Sequence, residues 1–141
     1  MRRLPGQLEG IGYIVEVDLD WDYREKIREL LELGLHGGCE AEVAERLFVN
    51  EWLEHLAPEF CSLGITEREA NLRGYFPVRF LEQGDELREA EETLKFPVYG
   101  IPAFQLDRLV EARLYGASHS EVARLGIERV LDRREQNTRV I

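Results

Sequence analysis

Between Gly12 and Trp21 apolar and polar residues alternate. Tyr13, Val15, Val17, Leu19 and Trp21 share one face, and Ile14, Glu16, Asp18 and Asp20 share the other. A period of two belongs to a strand with one side buried, so this stretch reads as a half-buried antiparallel strand. The period then lengthens. Asp22 stands where a helix N-cap is expected and Glu25 three residues on, the reciprocal capping pair, before Ile27, Leu30, Leu31 and Leu35 supply an apolar stripe. Gly34 and then Gly37 and Gly38 stop that helix. A second helix is expected over 40–56, with Val43, Ala44, Leu47, Phe48, Trp52 and Leu56 at helical spacing. Glu40, Glu42, Glu45, Glu51 and Glu54 fall mostly opposite, and Pro58 closes it.

Alternation returns over 70–81, with Leu72, Phe76, Val78 and Phe80 against Asn71, Arg73, Tyr75 and Arg79. Pro77 makes this an edge strand or marks a bulge. Residues 82–95, EQGDELREAEETLK, read as a turn and a short acidic helix, and FPVYGIP as a short strand. Two helices follow, AFQLDRLVEARLYG closed by Gly116, and SEVARLGIERVLDRREQ capped by Ser118 or Ser120. The expected fold class is α+β: a small antiparallel sheet packed by helices, with a C-terminal helical hairpin.

Composition narrows the function classes. The 141 residues suit one domain, and 44% hydrophobic with 33% charged residues is a globular mixture. No apolar run approaches the roughly 20 residues of a membrane span, and MRRLPGQLEG lacks a signal-peptide core, so a cytoplasmic protein is expected. Residues 1–94 carry 22 acids and 10 bases, a net −12, and residues 95–141 carry 6 acids and 8 bases, a net +2. Such a body does not bind nucleic acid broadly, because phosphate neutralisation needs clustered Lys and Arg. It fits a basic protein surface instead. Sixteen Arg against two Lys suggest a GC-rich, thermophilic source.

Candidate chemistry is sparse. Asp18, Asp20, Asp22 and Glu29 occupy positions 1, 3, 5 and 12 of a calcium loop, but Tyr23 stands where the loop needs Gly, and Glu25 where it needs an apolar residue. His36, Cys39, His55 and Cys61 could be aligned as zinc ligands, yet the second pair is split across Pro58. A loop histidine, a surface histidine and two buried thiols describe them as well. No metal or cofactor is expected. There is no nucleophile elbow and no phosphate-cradling loop, so an enzyme of unknown chemistry stands behind a non-enzymatic role.

Residues 96–135, FPVYGIPAFQLDRLVEARLYGASHSEVARLGIERVLDRRE, resemble the ribbon-helix-helix family of DNA-binding repressors and antitoxins. The resemblance implies a dimer whose paired strands enter the major groove, with Val98 and Tyr99 on the ribbon. It also implies a phosphate clamp at Ser118, His119 and Ser120. The ribbon here offers Phe96, Pro97, Val98, Tyr99, Gly100 and Ile101 in place of the Arg, Lys, Asn or Gln that read base edges.

Glu16, Asp18 and Asp20 point one way at intervals of about 6–7 Å. This is either a solvated strand face or an interface in which a basic partner relieves their repulsion, with Trp21 as anchor. The whole chain, Arg-rich and Lys-poor with an acidic α/β body and a short basic helical tail, is similar to small phage-encoded proteins that bind the RNA polymerase of Thermus-type hosts. That resemblance implies a body, residues 6–109, docked on the polymerase flap; the candidate contacts of that body, Glu16, Asp18, Asp20 and Trp21, come from the acidic row itself and not from the resemblance. It further implies a tail, residues 110–141, reaching the σ factor, with altered promoter use or pausing as the result; the arginines of that tail, Arg124, Arg129, Arg133 and Arg134, are its candidate contacts.

Overall fold

The computed structural model describes residues 11–34, 37–75 and 93–140. Strand β1 (Gly12–Val17) pairs antiparallel with β2 (Leu94–Tyr99), in a register that sets Tyr13 opposite Val98 and Glu16 opposite Lys95. The alternation is realised as expected through Leu19: Val15, Val17 and Leu19 are buried, whereas Ile14, Glu16 and Asp18 are exposed. It fails at Trp21. The strand ends at Val17 and helix α1 (Trp21–Leu33) is capped by Asp20, two residues before the expected cap, the Asp20 carbonyl accepting the N–H groups of Tyr23 and Arg24 at 3.0 Å each. Trp21 therefore sits in a first helical turn, 68% exposed, and not on the core face. Asp22 is not the cap, and Glu25 bonds Arg28 at 3.2 Å. At the other end Gly34 takes a left-handed conformation (φ 75°) and donates its N–H to the carbonyl of Leu31, which ends α1 where expected.

The second expected helix forms in three consecutive parts: α2 (Glu40–Arg46), a π-helical segment (Leu47–Trp52) and α3 (Leu53–His55). Pro58 does not close it. The chain turns at Leu56, and Pro58 lies in the first turn of α4 (Ala57–Ser62), where a missing N–H costs nothing. The strand expected from residue 70 is replaced at its start by α5 (Glu67–Leu72), whose N-cap Thr66 accepts the N–H of Glu69 at 3.1 Å. Residues 73–75, which follow, form no strand, and residues 76–81 of the expected strand and 82–92 of the acidic segment lie outside the described residues.

Helix α6 (Ile101–Ala112) carries Pro102 in its first turn. It ends three residues before the expected Gly116 stop, with Arg113 in a left-handed conformation (φ 55°) and its N–H on the carbonyl of Val110. Helix α7 (His119–Val140) is capped by Ser118, whose hydroxyl accepts the N–H of Glu121 at 3.2 Å. The fold is α+β, a two-stranded antiparallel sheet with helices and a C-terminal helical hairpin. Val122, Ala123, Ile127, Val130 and Leu131 of α7 belong to the same buried cluster as Val15, Val17, Phe48, Trp52 and Phe96. Residues of the expected tail are thus built into the core.

Gly126 explains how α7 approaches so closely. A Cβ at that position would lie 2.5 Å from Trp52 Cε3. The helix-propensity penalty of a mid-helix glycine, about 1 kcal/mol, is accepted so that α7 can pack on the indole face. Truncating a fully buried ring of this size to Ala costs on the order of 3–5 kcal/mol, and Trp52 is 1% exposed. Among the described residues no helix is long and apolar enough to cross a membrane.

Candidate functional site

Two polar constellations stand out, and they differ in how their charges are met. The first is centred on Asp107 of α6. Tyr13 of β1 donates its hydroxyl to Asp107 Oδ2 at 2.6 Å, and Tyr75, just after α5, donates to the same oxygen. His119, the first residue of α7, places Nε2 at 2.8 Å from Oδ1. The Tyr13 and His119 rings stack at 4.3 Å. Burial, then the hydrogen bond to Asp107, pushes both tyrosine hydroxyls well above the ordinary tyrosine range. Each named group is spent on another, so the cluster ties β1, α6, α7 and the segment after α5 together. No local signal in the sequence joins positions 13, 75, 107 and 119.

The second constellation runs from the β1–α1 connection to α7. Glu16 is exposed but sits 3.3 Å from Lys95 across the ladder, so one member of the acidic row is offset. Asp18, Asp20, Trp21 and Asp22 are all exposed. Two acids from α7 extend the row. The carboxyl of Glu128 is raised above the usual glutamate range chiefly by burial; Arg124 opposes that rise, while Asp20 and Asp132 add to it. Tyr23 donates its hydroxyl to Asp132 at 3.1 Å.

The neighbouring cations are already committed. Lys26 reaches Glu135 at 2.6 Å, Arg124 lies 3.4 Å from Glu128, and Arg28 lies 3.2 Å from Glu25. Arg134 bonds Glu51, with Nε at 3.2 Å from Oε1. By contrast Asp18, Asp20, Asp22 and Glu29 form no ion pair with a described residue. Beside them the outer faces of α1 and α7 enclose an open groove of about 970 Å³ that includes Trp21, Leu30, Leu33 and Leu131.

The expected residues distribute unevenly over these features. Asp18, Asp20 and Trp21 come together at the start of α1, with Glu16 set apart on the strand. Of the expected tail contacts, Arg124 and Arg134 are paired as above, Arg129 lies over the Tyr115 ring at 5.6 Å, and Arg133 is half-buried. Val98 is buried and paired with Tyr13 within this chain, and Tyr99 is half-buried opposite Gly12. Ser118 is used as a cap and His119 in the Asp107 cluster, leaving Ser120 exposed.

Cys39 is half-buried before α2 and His55 is exposed at the end of α3, while His36 and the Cys61 side chain lie outside the described residues. No group of three His, Cys, Asp or Glu placed to hold a metal occurs among the described residues. The stretch aligned as a calcium loop is occupied from Trp21 by α1.

Sequence reasoning missed a buried ion pair. Glu40, assigned to the polar face of its helix, is 9% exposed and accepts Arg24 Nη2 at 2.8 Å. It also missed the groove, because Trp21, Leu30 and Leu33 belong to no single apolar stripe. Compared with known proteins, the chain matches no protein-family model, no curated protein and no solved structure.

Proposed function

We propose that this protein is a non-enzymatic regulator that docks through the acidic start of α1 onto a basic protein surface. One observation carries the reading: Asp18, Asp20 and Asp22 are exposed and form no ion pair with a described residue, beside a 68% exposed Trp21, while the cations around them are committed internally. Like charges held this close favour any partner that brings compensating cations, and an exposed aromatic beside them supplies an apolar anchor. The partner is bacterial RNA polymerase, in its flap and σ region, with altered promoter use or pausing as the outcome. That identity rests on the whole-chain resemblance to small phage-encoded polymerase-binding proteins.

The test uses purified RNA polymerase holoenzyme from a Thermus-type bacterium and the full chain. Asp18→Lys combined with Asp20→Lys should abolish co-elution while the circular dichroism spectrum stays unchanged. Co-elution that survives the double change removes the acidic face as the site, and a wild-type chain that never co-elutes removes the polymerase.

A further inference from the structure

We infer that the groove between α1 and α7 receives a basic amphipathic helix of the partner. This inference rests on the docking reading and names what the same face would hold. Three features of the groove select that occupant.

The walls are helices. Their backbone groups are satisfied internally, so an incoming strand would find no ladder to join, and recognition has to proceed through side chains. Trp21, Glu25, Glu29 and Leu33 fall at every fourth position of α1, which aligns them on one face over roughly 18 Å. A helix laid along that face meets an apolar contact at each end and carboxylates between.

The apolar surface is real and uncovered. Trp21 is 68% and Leu33 64% exposed, and Leu131 at 3% forms a floor beside them. Two large apolar side chains left in water on one helix face, flanking a cleft of about 970 Å³, match the way amphipathic helices are gripped.

Charge decides between occupants. Lys26 and Arg134 lie in the groove, but each is held by an acid of this chain, Glu135 and Glu51 respectively. Asp22 and Glu29 on the rim form no ion pair with a described residue. An anionic lipid surface would be repelled by that rim. So would a second copy of a chain carrying a net charge of −10. A helix with Leu or Phe on one side and Arg or Lys flanking it satisfies both the rim and the floor.

The experiment titrates the full chain with a synthetic four-turn helical peptide bearing Leu on one face and Arg on the other. A control peptide has the same composition scrambled to destroy the apolar face. Tryptophan emission reports directly, because Trp52 is already 1% exposed and only Trp21 can pass from water to an apolar contact. The amphipathic peptide should shift emission to the blue and bind about tenfold tighter than the scrambled one. Leu33→Ser, and separately Trp21→Ala followed by calorimetry, should remove that advantage with the circular dichroism unchanged. Asp22→Lys with Glu29→Lys should abolish binding of both peptides.

Equal affinity for the two peptides overturns the inference, as does an advantage that survives Leu33→Ser and Trp21→Ala. A blue shift induced by phosphatidylglycerol vesicles in place of the peptide overturns it in favour of a membrane. Failure here is distinguishable from failure of the docking reading. If polymerase capture depends on Asp18 and Asp20 while the peptides are not discriminated, the groove falls and the acidic face stands.

Discussion

Asp107 and Asp20 are the same side chain in opposite situations. Three donors from three other parts of the chain, Tyr13, Tyr75 and His119, converge on the one carboxylate of Asp107. Around Asp20 the carboxylates converge, with Glu128 and Asp132 arriving from α7, and the nearby bases are spoken for. Where donors saturate the acceptor, the polar group fixes the fold and has nothing left to offer a ligand. Where acceptors outnumber donors, free energy is left to be gained from outside the molecule. The difference separates a structural acid from an interfacial one more surely than exposure does, since Asp107 is itself not fully buried, with 17% of its side chain accessible.

The sharpest way to break this comparison is to remove each acid in turn. Asp107→Ala should lower the unfolding free energy in urea by about 2–3 kcal/mol, because it strands two tyrosine hydroxyls and a histidine that were bonded to it. Asp18→Lys with Asp20→Lys should change it by no more than about 1 kcal/mol, since both positions are exposed and the side chain of Asp20, the N-cap of α1, makes no cap hydrogen bond. Comparable losses from both would mean that the two sites are not different in kind.

A smaller effect should appear on the alkaline side. The Tyr13 and Tyr75 hydroxyls are held protonated in the folded chain by burial and by Asp107, whereas in the unfolded chain they ionise near the ordinary tyrosine value of about 10. Between that value and the raised folded ones the folded state binds more protons. Stability is therefore fully present below pH of about 10 and falls as pH rises beyond it. Urea unfolding across this window should show a steeper decline for the wild type than for Tyr13→Phe combined with Tyr75→Phe. Parallel curves would show that these hydroxyls are not held by the cluster.

What was legible in the sequence follows from the range of the signals. The alternation through Leu19, the Gly34 stop, the strand within FPVYGIP and the Ser118 cap depend on neighbours within a few residues, and they appear in place. Parity alone puts Trp21 on the core face, and the helix start at the Asp20 carbonyl overrides it. Thr66 and Glu69 form a capping pair in plain view, but the longer alternation downstream masked it. Glu40 looked like a surface acid because its partner, Arg24, lies on another helix. The Asp107 cluster spans 94 residues between Tyr13 and Asp107, beyond the reach of any periodicity. The acidic row was visible as a row, yet its completion by Glu128 and Asp132, and the groove beside it, required α7 to be brought alongside α1.

The finest test of the comparison asks whether Asp20 and Glu128 sense one another. If the acids of this face repel, neutralising one should let its neighbour ionise more readily. Asp20→Asn keeps a side chain that suits a helix N-cap and removes the charge. The carboxyl of Glu128, followed by NMR through a pH titration of its side-chain carbon, should then titrate at a lower pH than in the wild type. Burial keeps part of the rise, since it is the larger cause. A cationic partner seated on the face should move the same titration further down, because an opposite charge favours the ionised form. Binding would then release protons, and acidification through the wild-type Glu128 transition would remove one negative charge from the face and weaken docking. If Asp20→Asn leaves the Glu128 titration where it was, the two carboxylates do not share a field. The acidic row would then be a solvated edge, with no repulsion for a partner to relieve.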